Sequence, residues 1–242
     1  VFAGLLDAIE PPRQIDFDPG RFSLPTRTAL YFTPGLRHLP SLAAEEWRAE
    51  TGRTPTLRTL RHPTPFAFAL ANETGDAPPI PAGWEPDTLP ASGEAYRLDI
   101  TPRGLFAVAR SHPGLVHAWQ TLKQILRHAP DTLPALRIVD YPDLAWRVYH
   151  LDLKGTRHTP DQLNALLPLL AEFKINAILA EYEDALRLPR HPEFARPEAW
   201  TPDELRPWLD RAADYGIAVI PLIQTLGHLQ YILRHPPFQH LA

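Results

Sequence analysis

Three apolar runs in the second half of the sequence each stop at groups able to do chemistry. Val148 to Leu153 leads into "HLDLKG", with Asp152 and Lys154; Ala177 to Ala180 runs into "AEYED", with Glu181, Glu183 and Asp184; Ile217 to Ile223 gives way to "PLIQTLGH", ending at His228. Carboxylates this close repel one another unless a ligand or neighbouring cations offset the charge. Loops that follow parallel strands surround a common crevice, so the acids are expected at the rim of a cleft. Asp152 sits within its strand, where a carboxylate needs a buried partner. Taken singly, Glu183 reads as a solvated loop carboxylate that need not face the crevice. His228 follows Gly227 just past a buried strand and reads as functionally placed.

Other chemistries lack their residues. His62, His112, His191 and His235 each precede proline, which favours extended turn positions. His228, His235 and His240 lack the i, i+4 spacing of a helical zinc pair, no "HExxH" occurs, and neither a metal nor any other cofactor is expected. Asp203 and Glu204 belong to a helix start, and no "GxSxG" marks a serine nucleophile. With no cysteine in 242 residues, thiolate chemistry and disulfides are excluded.

The elements that must position these groups follow two grammars. From Val148 onward the order is strand, helix, strand, helix, strand, which implies parallel strands joined by right-handed crossovers. The first helix starts at Thr159 and Pro160 and carries Leu163, Leu166, Leu167, Leu170 and Phe173 at helical spacing. The second starts at a capping box of Thr201 and Glu204 and stops near Gly216. Pro168 and Pro207 fall inside these helices, where kinks or shortening are expected. No Gly-rich phosphate loop follows any strand, which favours a barrel over a doubly wound nucleotide-binding sheet. A complete barrel takes about 250 residues, so about three of eight units are present.

The first half reads as α+β. Gln14 to Phe17, Leu57 to Leu60 and Phe66 to Ala71 are strand candidates, and a helix from Ser41 to Glu50 ends at Gly52. Asn72 to Ser92, with Trp84, is expected to be a long surface loop. Tyr96, Leu98 and Ile100 alternate with polar residues, "TPRG" turns, and Leu105 to Ala109 returns as a hairpin. Pro113 to Leu126 carries a helical apolar stripe.

Composition narrows the classes. The net charge of −4 offers no positive field for a phosphate backbone, so nucleic acid is not an expected partner. No run of about 18 apolar residues exists, so no spanning helix and no membrane partner are expected. Methionine is absent, so the sequence is expected to be part of a longer product, and the absence of cysteine allows the reducing, cytoplasmic location expected for it.

"EYEDALRLPRHPEF", "GIAVIPLIQTLGHLQYILRHPPFQHL" and "WRVYHLDLKG" together resemble the hexosaminidase D-like branch of glycoside hydrolase family 20, the exo-β-N-acetylhexosaminidases. "GEAYRLDITPRGLFAVARSHPGLVHAWQTLKQIL" is similar to the end of the small domain preceding the barrel in that family. The resemblance implies an α/β fold, with an α+β domain over residues 1–143 and the first three β/α units of an incomplete (β/α)8 TIM barrel over 144–242. It also implies release of terminal β-linked N-acetylhexosamine by a retaining route in which the substrate's own acetamido group attacks. The Asp-Glu pair for that chemistry would follow a fourth strand, and nothing after Ile223 reads as one, so the pair is expected beyond Ala242 and residues 1–242 alone are expected to be inactive.

On this resemblance Asp184 and His228 are a supporting dyad behind the catalytic acid, and Asp152, Lys154 and Glu181 are substrate-binding. Lys154, with Arg157 nearby, stands where the family has a sugar-binding arginine, and a lysine does not copy that bidentate fork. Ala180 and Glu181 replace the family's usual aromatic and histidine residues. Expected partners are a glycan or glycoside bearing N-acetylhexosamine and, through the open barrel edge, a second copy of the chain. The alternative is a non-catalytic carbohydrate-binding or scaffold protein that retains the family's architecture.

Overall fold

The computed structural model describes residues 11–36, 38–61, 67–72, 84–155 and 157–242. The chain divides into two compact units, Val1–Ala145 with Glu172–Lys174, and Trp146–Ala171 with Ile175–Ala242.

The first unit is built on seven strands: β1 (Gln14–Ser23), β2 (Thr28–Phe32), β3 (Thr56–Thr59), β4 (Ala67–Asn72), β5 (Tyr96–Thr101), β6 (Gly104–Ala109) and β7 (Thr132–Asp140). Their order across the sheet is β1-β7-β5-β6-β4-β2-β3, antiparallel except for β2 with β3. Helices α1 (Leu39–Thr51) and α2 (His112–His128) pack on one another, and α2 packs on β5 and β6. Alternation along β4 sends Phe68 against Trp119 of α2, with ring centroids 5.7 Å apart. Ala67 and Ala69 instead join Tyr31, Trp84, Phe106 and Val108 in a second apolar cluster.

Gly52 ends α1 in the left-handed conformation, φ 69°, as its sequence position predicts. The β5–β6 hairpin turns between Thr101 and Gly104. Most of the predicted Asn72–Ser92 loop, residues 73–83, lies outside the described residues, as do His62 and Phe66. Trp84, read as part of that surface loop, is buried, its ring and that of Phe106 edge to face with centroids 4.3 Å apart.

The second unit holds β8 (Val148–Asp152), β9 (Ala177–Glu181) and β10 (Ala218–Leu222), parallel, in the order β10-β9-β8. Crossover helices α3 (Pro160–Glu172, of which Glu172 groups with the first unit) and α4 (Pro202–Asp214) connect them. The reciprocal capping box of Thr201 and Glu204 opens α4. Pro168 and Pro207 neither end nor split these helices, and each runs 13 residues. Tertiary packing of their apolar faces overrides the local cost of proline.

The two faces of this small sheet differ. Leu151, Ile178 and Ala180 point to one side and are buried, as are Leu163 and Leu167 of α3 and Leu205 and Trp208 of α4. Val148, His150 and Asp152 point to the other side and are exposed, as is Ile220. The uncovered face is therefore the one that carries polar groups toward the carboxyl ends of the strands.

Candidate active site

Glu181 closes β9 and faces Asp152 across the β8–β9 register. It is not the open ligand contact that its position suggested: its side chain is 3% exposed, because three protein groups cover it. Lys154 Nζ donates to Oε1 at 2.6 Å, Gln224 Nε2 donates to the same oxygen at 2.9 Å, and His150 Nε2 lies 2.9 Å from Oε2. The partners come from β8, from the loop after β8 and from the loop after β10, so one carboxylate ties together the carboxyl ends of all three strands. Hydrogen bonds from Lys154, then Gln224 and His150, outweigh burial and hold the Glu181 carboxyl down from an ordinary 4.5 to about 2. The same contact with Glu181 raises the Lys154 ammonium above its usual range.

Lys154 serves more than one anion. Its Nζ lies 3.6 Å from Asp152 Oδ2 and 3.7 Å from Glu183 Oε1. Asp152, expected to need a buried partner, has its side chain 47% exposed, and its Oδ1 accepts from the Lys154 backbone N–H at 2.8 Å. Because it lies on the uncovered face, water solvates the remainder of the carboxylate.

Glu183 overturns its reading as a solvated loop residue. Its side chain is 7% exposed, its backbone is left-handed at φ 42°, and Oε1 accepts no hydrogen bond. A short 3-10 turn, Glu183–Ala185, folds it back beneath the strand ends. Burial pushes its carboxyl above the ordinary 4.5, Lys154 opposes that rise and the neighbouring Glu181 adds to it. Two buried carboxylates thus share one ammonium, and the more weakly held of the two gains a proton more readily.

The expected dyad of Asp184 with His228 is not formed, since neither hydrogen bond nor ion pair joins them among the described residues. Asp184 is half-buried in the 3-10 turn, where its backbone carbonyl accepts from Arg196 N–H at 2.9 Å. His228 is exposed and left-handed, φ 54°. Nearby Tyr231 is buried; burial, then Glu183 and Asp184, raises its hydroxyl above the usual range.

Sequence reasoning missed two members of this cluster, His150 and Gln224. Alternation along β8 puts His150 on the same side as Asp152, and that signal was available. Gln224 carries none, because only the pairing of β10 with β9 brings its loop to Glu181. The described residues contain no group of three or more His, Asp or Glu side chains able to hold a metal, and no helix long and apolar enough to cross a membrane.

Chemically, the site presents an ammonium, an amide, an imidazole and an exposed carboxylate around a buried anion, a set suited to hydroxyl-rich ligands. Residues 9–141 match the family model for glycosyl hydrolase family 20, domain 2. The chain is 34% identical to a beta-N-acetylhexosaminidase of Cellulomonas fimi, over 64% of this chain and 35% of that protein. It is 38% identical to Hexosaminidase D of Bos taurus, over 39% of this chain and 28% of that protein. The structure of Streptomyces plicatus N-acetyl-beta-hexosaminidase in complex with Thio-NAglucal aligns with a TM-score of 0.75 at 21% identity, over 95% of this chain and 48% of that one. The matched regions thus span about a third of the length of these curated relatives.

Proposed function

Because the chain belongs to glycosyl hydrolase family 20, as the domain-2 match over residues 9–141 shows, we propose that it is the N-terminal segment of a retaining β-N-acetylhexosaminidase. The substrate is a glycan or glycoside ending in β-linked N-acetylhexosamine. In this reading β8, β9 and β10 are the first three strands of a (β/α)8 barrel, and the catalytic Asp-Glu pair follows Ala242. The acetamido carbonyl of the substrate attacks the anomeric carbon while the Glu of that pair protonates the leaving oxygen.

The observation that carries the proposal is the gathering of Lys154, Gln224 and His150 on Glu181 at the carboxyl ends of three parallel strands. That is where a barrel enzyme builds its site. Residues of this chain bind and orient rather than transfer the proton. Lys154, with hydrogens beyond the one given to Glu181, and the exposed Asp152 meet sugar hydroxyls; Glu181 holds Lys154 in place.

Hydrolysis of an aryl N-acetyl-β-glucosaminide by a longer form of the protein and by residues 1–242, side by side, tests this. Turnover by the longer form alone is expected. Turnover by residues 1–242, or none by either, overturns it, and binding of N-acetylglucosamine without hydrolysis by the longer form selects the non-catalytic carbohydrate-binding alternative. The uncovered sheet face, and the outer edges of β8 and β10, which have no strand partner among the described residues, further predict that residues 1–242 self-associate, which sedimentation checks.

A further inference from the structure

His150 is half-open to solvent, its side chain 52% exposed, while the carboxylate it rests on is 3% exposed. Its Nε2 lies 2.9 Å from Glu181 Oε2. An ionised carboxylate only accepts hydrogen bonds, so Nε2 carries the hydrogen of this contact. A neutral imidazole has one N–H, which leaves Nδ1 as a bare acceptor. Glu181 also fixes the plane of the ring, as a carboxylate does for imidazoles whose second nitrogen has a task.

The surrounding groups define what that acceptor suits. Lys154 and Gln224 reach Glu181 as donors, and Lys154, 29% exposed, retains hydrogens for a ligand. A sugar hydroxyl both donates and accepts, so a bare imidazole nitrogen beside an ammonium matches it. We propose that His150 is a further ligand-reading residue of this site: its Nδ1 accepts one hydroxyl of the bound N-acetylhexosamine, and Glu181 is the positioning residue that turns the ring to do so. This inference rests on the hexosaminidase reading and adds to it a specificity determinant contributed by β8.

The test pairs protein and substrate changes in the full-length enzyme. Aryl N-acetyl-β-glucosaminides lacking the hydroxyl at carbon 3, 4 or 6 are assayed with wild type, His150→Leu, which removes the acceptor, and His150→Asn, whose amide oxygen stands one bond from Cγ as Nδ1 does. For wild type, one of the three deletions is expected to lower kcat/KM roughly ten- to hundredfold. His150→Leu should show a comparable loss on the parent substrate and almost no further loss for that deletion, while His150→Asn recovers part of the loss. Penalties that multiply at all three carbons would make His150 merely structural and overturn the inference.

A second measurement needs no variant. The ring nitrogens of 15N-histidine-labelled wild type should report the Nε2–H tautomer for His150, with the Nδ1 resonance moving when N-acetylglucosamine is added. The opposite tautomer, or an unmoved Nδ1, overturns the proposal even if the variants do not fold. Absence of wild-type turnover on the parent substrate instead sinks the hexosaminidase reading and this inference with it, whereas normal wild-type turnover with no coupling at His150 sinks the inference alone.

Discussion

Each unit of the molecule contains a lysine resting on a carboxylate, and the two are finished differently. In the first unit Lys174 Nζ meets Asp140 Oδ2 at 2.5 Å, with both side chains only about a tenth exposed. Tyr96 donates to the same oxygen at 3.0 Å, lies 2.6 Å from Thr121 Oγ1, and the Arg13 N–H supplies Oδ1 at 3.1 Å. Burial alone would push Asp140 up, yet Lys174, with the Arg13 and Tyr96 donors, holds the carboxyl below its ordinary range, while burial lifts the Tyr96 hydroxyl to about 12. One anion, one cation and enough donors leave nothing over.

In the second unit Lys154 serves Glu181 while Glu183 lies buried beside it with an oxygen that accepts no hydrogen bond. The groups on top, His150 and Lys154, remain partly open to solvent. A closed account of charge marks structure; a surplus carboxylate under exposed polar groups marks a place that expects something else.

Removing each lysine separates the two pairs. Lys174→Met leaves Asp140 buried without its cation and should cost about 3–5 kcal/mol of unfolding free energy, read by urea denaturation. Lys154→Met should act mainly on ionisation. The Glu181 carboxyl, followed by 13C NMR titration, should climb from about 2 toward its ordinary 4.5. If Lys154→Met instead matches Lys174→Met in lost stability, the two pairs are alike and the distinction fails.

The next effect is in the pH dependence, where Glu181 and Glu183 carry opposite signs. Glu181 has its folded value depressed to about 2, so its contribution to stability is present above about 4.5 and is lost as pH falls through about 2. Glu183 has its folded value raised, so its contribution is present below about 4.5 and is lost as pH rises through that folded value. Glu183→Gln, which cannot ionise, should therefore gain on wild type as pH rises from about 4, in melting temperatures collected across the acid to neutral range. A constant offset between the two proteins would show that Glu183 does not titrate abnormally. The smallest effect is a control: Thr201→Ala removes the α4 capping box and should cost about 1 kcal/mol while leaving the Glu181 titration unmoved.

Much of the fold was legible because local pattern and final structure agree. The βαβαβ order, the Thr201 cap, Gly52 and the β5–β6 hairpin each rest on a signal within a few residues. Strands β2 and β7 were not legible. Every residue of β2 is buried, so no alternation announces it, and β7 carries Pro134, which argues against a strand. Pro134 is accommodated beside the register shift in β1 between Phe17 and Arg21, a tertiary circumstance. In the site, residue types after the strands pointed to Lys154 and Glu181. Glu183 was misjudged because its left-handed turn depends on the fold around it, and Gln224 gains meaning only when β10 lies beside β9.

The sequence distances inside the Glu181 cluster carry a consequence for how the site comes into being. Its partners are 31, 27 and 43 positions away along the chain. None of these contacts repays its loop-closure entropy until an entire crossover has been completed. The cluster should therefore be among the last features to consolidate during refolding, and a short graft onto another scaffold could not carry it, because its smallest transferable piece is the whole three-strand module.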